Sequence, residues 1–444
     1  MQVVVLLFLI VLLFISLACY KSITCPLVFI NLLFALIFLG ITIKPFEIKT
    51  DSTLAYFLVL IGMVMINIGY HIFSLGDNQP VINRASFVSY ESNKVVLYLL
   101  IAVLIVFSAY YVVEALILFK RGYSLNMVRL FFFGDSELIE TATGVKRNLL
   151  IDYGTAYLYQ PCQYLCIGIS SVAAFNKNYL SDSKKTKIAM IIITIINVIV
   201  SMLTNGGRVI LFFLILCFAL SFLFYRKKTG KNNNKRLKKT RRYLFLSLIV
   251  LICVAVFVTF SRSADSSILQ SVFYYFCGSI PNMEMNLANV DTSNYTYGLA
   301  FFSGLVRPLF TAVKFAFGLP LPEVFTRADS FLFDASATYY IADGVEYNAF
   351  VTIFYFFYRD SGYIGIVFES FVFGLILSIV YQKAKKNVSN PKYIILYLIL
   401  MIGVSTSFIR WQLLSVSYAM TFYYWFFAFR CPKARIECSR KVFC

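Results

Sequence analysis

The sequence predicts an all-α polytopic integral membrane protein with about eleven transmembrane helices, between ten and twelve. Of its 444 residues, 60% are hydrophobic and only 14% are charged, whereas a soluble domain has about 25% charged residues. The mean hydropathy is +0.78. Apolar runs recur along the chain, and about 20 such residues suffice for an α-helix to cross roughly 30 Å of hydrocarbon.

The apolar runs place the spans in chain order. They cover residues 2–20, 23–43, 54–75, 95–119, 149–175, 187–204, 208–225, 243–260, 363–382, 393–409 and 411–429. No Lys or Arg precedes the first run, which is also longer than the apolar core of a secretion signal, so it is expected to be a retained helix. The span at 149–175 contains Asp152, Gln160, Pro161 and Gln163 and is expected to be a broken or interfacial helix.

Basic clusters orient the predicted helices. In residues 226–242, ten of seventeen positions are Lys or Arg, which indicates a cytoplasmic loop. The clusters at 184–187, 383–386 and 433–441 fall on the same side by alternation. The chain then divides into transmembrane helices in 1–260, a large outer loop in 261–347, and further helices with a cytoplasmic tail in 348–444. The sides of the amino-terminal spans stay open, because their loops carry mixed charge.

The net charge of +19 does not predict nucleic-acid binding, because no reading helix or aromatic single-strand platform accompanies the basic residues. The lipid bilayer is the expected partner of the basic loop. The ten cysteines are scattered singly and His71 is the one histidine. We therefore predict no metal site and no cofactor.

The outer loop is predicted to be partly embedded in the membrane. It carries four basic and eight acidic residues. Apolar aromatic stretches at 271–280 and 299–322, punctuated by Gly and Pro, predict short helices lying in the interface. Such a loop would cover a cavity between the spans.

Arginines near the outer interface are the candidate binding residues. Arg208 follows Asn205 and two glycines at the start of a span. It is either a side chain that reaches the outer headgroups or a guanidinium that binds a phosphate or diphosphate, helped by N–H groups at the start of the following helix. Arg307 and Arg410 fall at a similar depth, either as interfacial anchors or as parts of the same site.

Arg359 and Asp360 stand before the sequence SGYIG, which opens a span. They either neutralise each other at the helix entrance or act as a diphosphate-binding and general-base pair. The stretch 274–304 interleaves Tyr with Asn, Asp and Ser, which suits sugar recognition and is equally typical of an interfacial aromatic belt.

Four motifs give the chain a family resemblance: TNGGR at 204–208, YYFCGSIPNMEMNL at 274–287 followed by YTYG at 295–298, YNAFVT at 347–352, and YFFYRDSGYIG at 355–365. With them the sequence resembles the bacterial oligosaccharide repeat-unit polymerases, the O-antigen or Wzy-type polymerases, over about its last 260 residues.

The resemblance implies an inverting glycosyltransferase of the bacterial cytoplasmic membrane with its active face outward. Its substrates would be undecaprenyl-diphosphate-linked oligosaccharides, and a chain-length regulator and a flippase would be its partners. The implied catalytic residues are Arg208, which stabilises the leaving diphosphate, and Asp360, which takes the acceptor proton. The implied substrate-binding residues are Arg307, Arg359, Arg410, Tyr297 and Asn348.

Three other classes of protein remain open. An O-antigen ligase would use the same donor and transfer it to lipid A core. A lipid-linked oligosaccharide flippase or another transporter is expected to show inverted repeats and a site near mid-membrane, and we find no internal repeat in the sequence. A purely structural membrane protein would not require several arginines at one face.

Overall fold

The computed structural model describes residues 1–75, 92–124, 127–128, 131–132, 149–176, 179–180, 184–205, 208–226, 268–290, 295–335, 337–347, 350–388 and 390–429. Most of these residues are helical. The predicted span 243–260, the basic loop after residue 226 and the tail beyond residue 429 lie outside the described residues, as does Asn348.

The described residues of the amino-terminal half are mostly helical. The helices are α1 (Gln2–Tyr20), α2 (Pro26–Ile43), α3 (Thr53–Leu75), α4 (Lys94–Lys120), α5 (Leu149–Gly154), α6 (Gln160–Phe175), α7 (Lys184–Asn205) and α8 (Val209–Arg226), with a π-helical turn at Thr155–Tyr159 between α5 and α6.

The second half starts with the outer loop. Its elements are α9 (Ile268–Cys277), α10 (Ser279–Leu287), α11 (Leu299–Phe317), α12 (Glu323–Asp334), β1 (Tyr339–Ala342) and β2 (Val345–Tyr347). The remaining helices are α13 (Ile353–Lys386), α14 (Pro391–Ser405), a 3-10 turn at Gln412–Leu414, and α15 (Val416–Ala428).

The structure has the architecture of a multi-pass helical membrane protein. In the described part of the chain, eight helices are long and apolar enough to cross a bilayer: α1, α2, α3, α4, α7, α8, α11 and α13. Helices α6, α14 and α15 coincide with predicted spans but are shorter, with 16, 15 and 13 residues. The count of eleven spans therefore stays a prediction.

Two features of the outer loop differ from the sequence prediction. The stretch 299–322 was expected to form short pieces, but residues Leu299–Phe317 form one 19-residue helix that continues through Pro308. The all-α prediction also omitted a small antiparallel hairpin, in which Tyr339 of β1 pairs with Tyr347 of β2. Asp343 and Gly344 supply its turn, with Gly344 at a φ of 69°, and this turn signal is too short to stand out from a loop.

Contacts between distant helices define two ends of the bundle. At one end, Thr24 before α2 accepts a hydrogen bond through its carbonyl from the Tyr397 hydroxyl at 2.7 Å. At the other end, Cys277 of α9 packs its thiol against the Ile37 carbonyl of α2 at 3.6 Å. We call the second end the loop end, because it carries the described part of residues 268–347, and the first the basic end, because it carries the lysines at the end of α13.

Helices α3 and α13 pack closely at two glycines, Gly69 of α3 and Gly374 of α13. A Cβ atom placed on Gly374 of α13 would meet the carbonyl oxygen of Ile66 in α3. Small residues at helix contacts let backbones approach closely inside a bilayer, where packing rather than hydrophobicity drives association. This contact fixes α13, which carries Arg359 and Asp360, against the core of the bundle.

Polar contacts inside the bundle and apolar residues outside it fit a lipid environment. Asn31 of α2 and Asn67 of α3 exchange two hydrogen bonds of 3.0 Å, as expected for polar side chains that join helices in a membrane. Large apolar side chains face outward, for example Phe14 at 65% and Ile364 at 78% exposure. Lipid tails would cover these side chains, which water would solvate poorly.

Candidate functional site

The site predicted around Arg359 and Asp360 lies where α13 is interrupted. Ser361 and Gly362 have non-helical backbone angles, and Gly362 adopts a φ of 61° and a ψ of −141°. Only glycine adopts this region readily. A Cβ at Gly362 would also lie 2.8 Å from the Tyr295 hydroxyl. The interruption therefore separates a short segment, 353–360, from the long helical segment that follows.

Asp360 fixes the start of α11. Its carboxylate accepts hydrogen bonds from the Thr296 hydroxyl at 2.5 Å, the Gly298 N–H at 2.9 Å and the Phe301 N–H at 3.0 Å. Its backbone carbonyl accepts two more, from the N–H groups of Thr296 and Tyr297 at 3.0 and 2.9 Å. The N-cap residue Gly298 has no side chain to perform this function, so Asp360 supplies the cap from a distant part of the chain.

These contacts favour a positioning role for Asp360. The residue is 0% exposed, and both carboxylate oxygens already accept hydrogen bonds. A general base must reach the proton that it removes. A second buried carboxyl group, that of Glu369, lies near Asp360 and is 3% exposed.

Arg359 binds α12. Its guanidinium donates to the Asp334 carboxylate at 2.9 Å and to the Tyr355 hydroxyl at 3.2 Å. It also lies over the Phe331 ring, 4.4 Å from the ring centroid, an arrangement that favours a cation. Arg359 is 8% exposed. Its charge is therefore already compensated by a carboxylate and two aromatic rings.

Arg307 binds the same helix. It projects from α11 and forms an ion pair with Asp329 of α12. Burial raises the pKa of the Asp329 carboxyl above its ordinary value, and the Arg307 charge partly opposes that shift. Together, Arg307 and Arg359 tie α12 to α11 and α13.

Arg410 has a different environment. It follows a turn in which the Ile409 carbonyl accepts a hydrogen bond from Val351 N–H at 3.1 Å. The side chain is half-buried and interacts electrostatically with Tyr164 of α6. Within the described residues, the Arg410 guanidinium takes part in no hydrogen bond or ion pair.

Arg208 lies at the start of α8, as predicted. Its carbonyl accepts the helical hydrogen bond from Phe212 N–H at 3.1 Å. The half-buried side chain interacts electrostatically with Tyr275 of α9. Burial raises the pKa of Tyr275, and the Arg208 charge opposes this shift. Residues 206 and 207, the predicted glycine turn, lie outside the described residues.

Arg208 and Arg410 each have a neighbour in one set of aromatic rings, which we call the aromatic cluster: Tyr275, Phe276, Phe350 and Phe408. The Tyr275 ring lies 4.7 Å from Phe350 and 6.1 Å from Phe408 between centroids. Phe408 stands two residues before Arg410, and Tyr275 interacts electrostatically with Arg208. The structure thus brings these two predicted arginines to one region and leaves Arg307 and Arg359 with α12.

Trp411 connects the two regions and was missed by the sequence analysis. Its ring stacks on Phe301 with centroids 4.6 Å apart, and its indole N–H donates to the Phe301 carbonyl at 2.9 Å. Phe301 is one of the donors to Asp360. The residue type was a usable signal, because Trp411 is one of two tryptophans in the chain and follows a candidate arginine directly.

Tyr297, the predicted sugar-binding tyrosine, is 81% exposed. Its φ of 48° is unusual for a residue that is not glycine.

Comparison of the chain with protein-family models, with curated proteins and with solved structures finds no match. The class that the fold defines is a multi-pass helical membrane protein.

Proposed function

We propose that this chain polymerises lipid-linked oligosaccharide repeat units of a bacterial surface polysaccharide, such as O-antigen, capsule or exopolysaccharide. It transfers the growing chain from undecaprenyl diphosphate onto a sugar hydroxyl of the next lipid-linked unit, with inversion at the anomeric carbon. The protein sits in the cytoplasmic membrane with the loop end outward. The motif resemblance supplies the reaction, and the placement of the arginines supports it.

The observation that carries the proposal is that Arg208 interacts electrostatically with Tyr275 of the aromatic cluster, and that Arg410 stands two residues after Phe408 of the same cluster, at the loop end. Arg410 is half-buried without a carboxylate partner among the described residues. An arginine in such a place favours an anion, and its planar donors match two phosphate oxygens at once. A diphosphate is such an anion and offers two phosphate oxygens at once. Its isoprenoid tail lies in the bilayer.

In the proposed reaction, the bond between the anomeric carbon and the diphosphate oxygen breaks as the acceptor hydroxyl attacks from the opposite face. Negative charge grows on the diphosphate, and the two guanidinium groups stabilise it in the transition state. Removal of one such preorganised donor typically slows a reaction by about 10²- to 10³-fold. Arg208 and Arg410 therefore carry the electrostatic part of catalysis.

The acceptor proton goes to a carboxylate other than that of Asp360, which caps α11. The side chains of Asp329 and Asp334 are 39% and 41% exposed, so both are open to a substrate. We place Asp329 first, because burial raises the pKa of its carboxyl above the ordinary value of an aspartate, which favours uptake of a proton. The lipid diphosphate is a good leaving group, which permits late deprotonation and lowers the demand on this base.

The test uses Arg208→Ala and Arg410→Ala in the native bacterium, with the chromosomal gene deleted and each variant expressed to the same membrane level. We expect surface lipid with a single repeat in place of a ladder of lengths. Arg327→Ala is the matched control, because Arg327 forms an exposed i,i+4 pair with Glu323. A complete ladder from both variants would contradict the proposal.

The same strains separate the alternative functions. If the protein were a ligase, long polymer would accumulate on undecaprenyl diphosphate in the deletion strain without reaching the core lipid. If it were a flippase, the deletion would remove even the single-repeat product from the surface. A polymerase predicts neither outcome, because single units still reach the surface and are attached there.

A further inference from the structure

Four tyrosines lie together beside the interruption in α13. The ring centroids of Tyr295 and Tyr297 are 6.3 Å apart, and those of Tyr358 and Tyr363 are 5.4 Å apart, with interplanar angles of 83° in both pairs. The Tyr295 hydroxyl lies against Gly362, between the two residues of the second pair. We call this group the tyrosine surface.

The tyrosine surface is open to the outside of the protein. Tyr297 is 81% exposed and Tyr363 is 52% exposed, while Tyr295 and Tyr358 are half-buried beneath them. The rings therefore present apolar faces, edges and hydroxyl groups together. This combination suits a ligand with both C–H faces and hydroxyl groups.

Tyr297 is held in a conformation that its residue type disfavours. Its φ of 48° places it in the left-handed region. Its N–H donates to the Asp360 carbonyl at 2.9 Å, and the residues on both sides, Thr296 and Gly298, donate to the Asp360 carboxylate. Such a conformation persists only when surrounding contacts enforce it, and it is common at ligand sites.

The depth of the surface fits a substrate anchored in lipid. Ile364 follows Tyr363 directly and is 78% exposed, and Phe368 one turn later is 62% exposed. Lipid tails would therefore begin within one turn of the tyrosine surface. An ordinary interfacial anchor would account for exposed tyrosines at this depth, but it would not require Tyr297 to adopt the left-handed conformation that its contacts with Asp360 enforce.

We propose that the tyrosine surface is a saccharide subsite, on which pyranose rings of the lipid-linked oligosaccharide stack. This inference rests on the proposed function and deepens it by naming the surface that holds the sugar part of the substrate. Phe301 and Trp411 connect this surface to Arg410, since Phe301 donates to Asp360 and stacks on Trp411. The sugar and the diphosphate would thus be bound by two adjoining parts of one site.

The experiment measures sugar binding without polymerisation. The probe is a set of short oligosaccharides, obtained by partial acid hydrolysis of the native bacterium's surface polysaccharide and labelled at the reducing end. Binding to the full-length protein in lipid nanodiscs is followed by fluorescence anisotropy. We expect Tyr297→Ala and Tyr363→Ala each to raise the Kd by roughly threefold to tenfold, the range of one aromatic contact.

Two further variants separate the ring from the backbone. Tyr297→Gly removes the ring and also relieves the left-handed conformation, so it must weaken binding as much as Tyr297→Ala does. Tyr340→Ala is the matched control, because Tyr340 is a tyrosine of similar exposure, 53%, whose hydroxyl donates to Glu346 of the hairpin, and its Kd must equal that of the unaltered protein. If Tyr297→Ala lost binding while Tyr297→Gly kept it, the effect would come from the backbone conformation at residue 297 and not from the ring. That result would overturn the proposal.

The remaining outcomes are also decisive. Absence of oligosaccharide binding by the unaltered protein overturns the proposed subsite. The proposal is also overturned if the tyrosine variants have an unchanged Kd but a lower protein level in the membrane, because that result identifies the tyrosines as interfacial anchors. Arg410→Ala must keep its oligosaccharide binding, because the probe has no diphosphate. The polymer lengths made by the Arg208→Ala and Arg410→Ala strains therefore test the proposed function, whereas the Kd values of the tyrosine variants test the subsite.

Discussion

Replacement of Asp360 separates the two functions that this residue can have. A general base contributes to the reaction and little to the fold, whereas the cap of α11 contributes to the fold first. Asp360→Ala removes every side-chain acceptor at the start of α11. Asp360→Asn removes the charge and retains one acceptor. The two roles rank these variants differently.

The size of the structural effect follows from the three donors. Thr296 and Phe301 are 4% and 1% exposed, so in Asp360→Ala their hydroxyl and N–H groups lose their acceptor away from water. Each buried donor left without an acceptor costs about 1 to 3 kcal/mol. Gly298 is half-buried, and water can replace its partner. The free energy of unfolding should therefore fall by about 2 to 6 kcal/mol.

Asp360→Asn should cost less. The amide oxygen can take the place of the carboxylate oxygen that accepts from Thr296 and Gly298, while the amide NH₂ then faces the Phe301 N–H. One donor is lost, at about 1 to 3 kcal/mol. The cap thus predicts a graded loss of stability, largest for Ala and intermediate for Asn.

The assay heats the detergent-solubilised protein and measures the soluble, monodisperse fraction by size exclusion, beside the polymer ladder from the same strains. Asp343→Ala is the control, because Asp343 is an exposed turn residue of the hairpin. We expect Asp360→Asn to retain part of its ladder at low temperature, in proportion to its folded fraction. Full thermal stability of Asp360→Asn with complete loss of polymer would refute the capping argument and restore the role of general base.

Three other outcomes follow from the packing and charges. Gly374→Ala should lower the thermal midpoint by several degrees, since its Cβ meets a backbone carbonyl of α3, whereas Gly168→Ala, which has room at 3.4 Å, should not. Arg359→Lys should loosen α12, because lysine keeps the charge but stacks less well on Phe331, and limited proteolysis near residues 318–322 should become faster. With Asp329 as the base, the polymerisation rate should fall as the pH is lowered through the pKa of its carboxyl. This fall should occur above the ordinary aspartate pKa, because burial raises the pKa of the Asp329 carboxyl. Asp329→Asn should abolish this acid limb of the pH profile.

Apolar run length predicted most of the membrane helices, because crossing a bilayer imposes a minimum length that composition reveals directly. It was less informative in 299–322. There, Pro308 indicated an interruption, yet α11 continues through it. Local propensity is a weak signal where tertiary packing decides, and α11 packs along α15, where the Tyr423 hydroxyl donates to the Leu305 carbonyl at 2.6 Å.

The site shows a sharper limit of sequence reasoning. The sequence identified Asp360 by residue type and by its place before a helix, and it assigned chemistry from that alone. The actual partners lie about 60 positions earlier, at Thr296, Gly298 and Phe301. An apolar run that begins after a glycine without a side-chain cap lacks part of its N-terminal hydrogen bonding. That deficit was visible in the sequence, but only the fold shows which carboxylate fills it.

The placement of Arg359 and Asp360 next to each other explains how α11 and α12 are held against the membrane helices. Asp360 fixes the start of α11, and α11 carries Arg307, which binds α12. Arg359 binds α12 as well. Both outer helices are therefore tied to the residues just before the interruption in α13. A binding site needs such rigid support if its groups are to stay within a fraction of an ångström of a productive geometry, and here the membrane helices provide it.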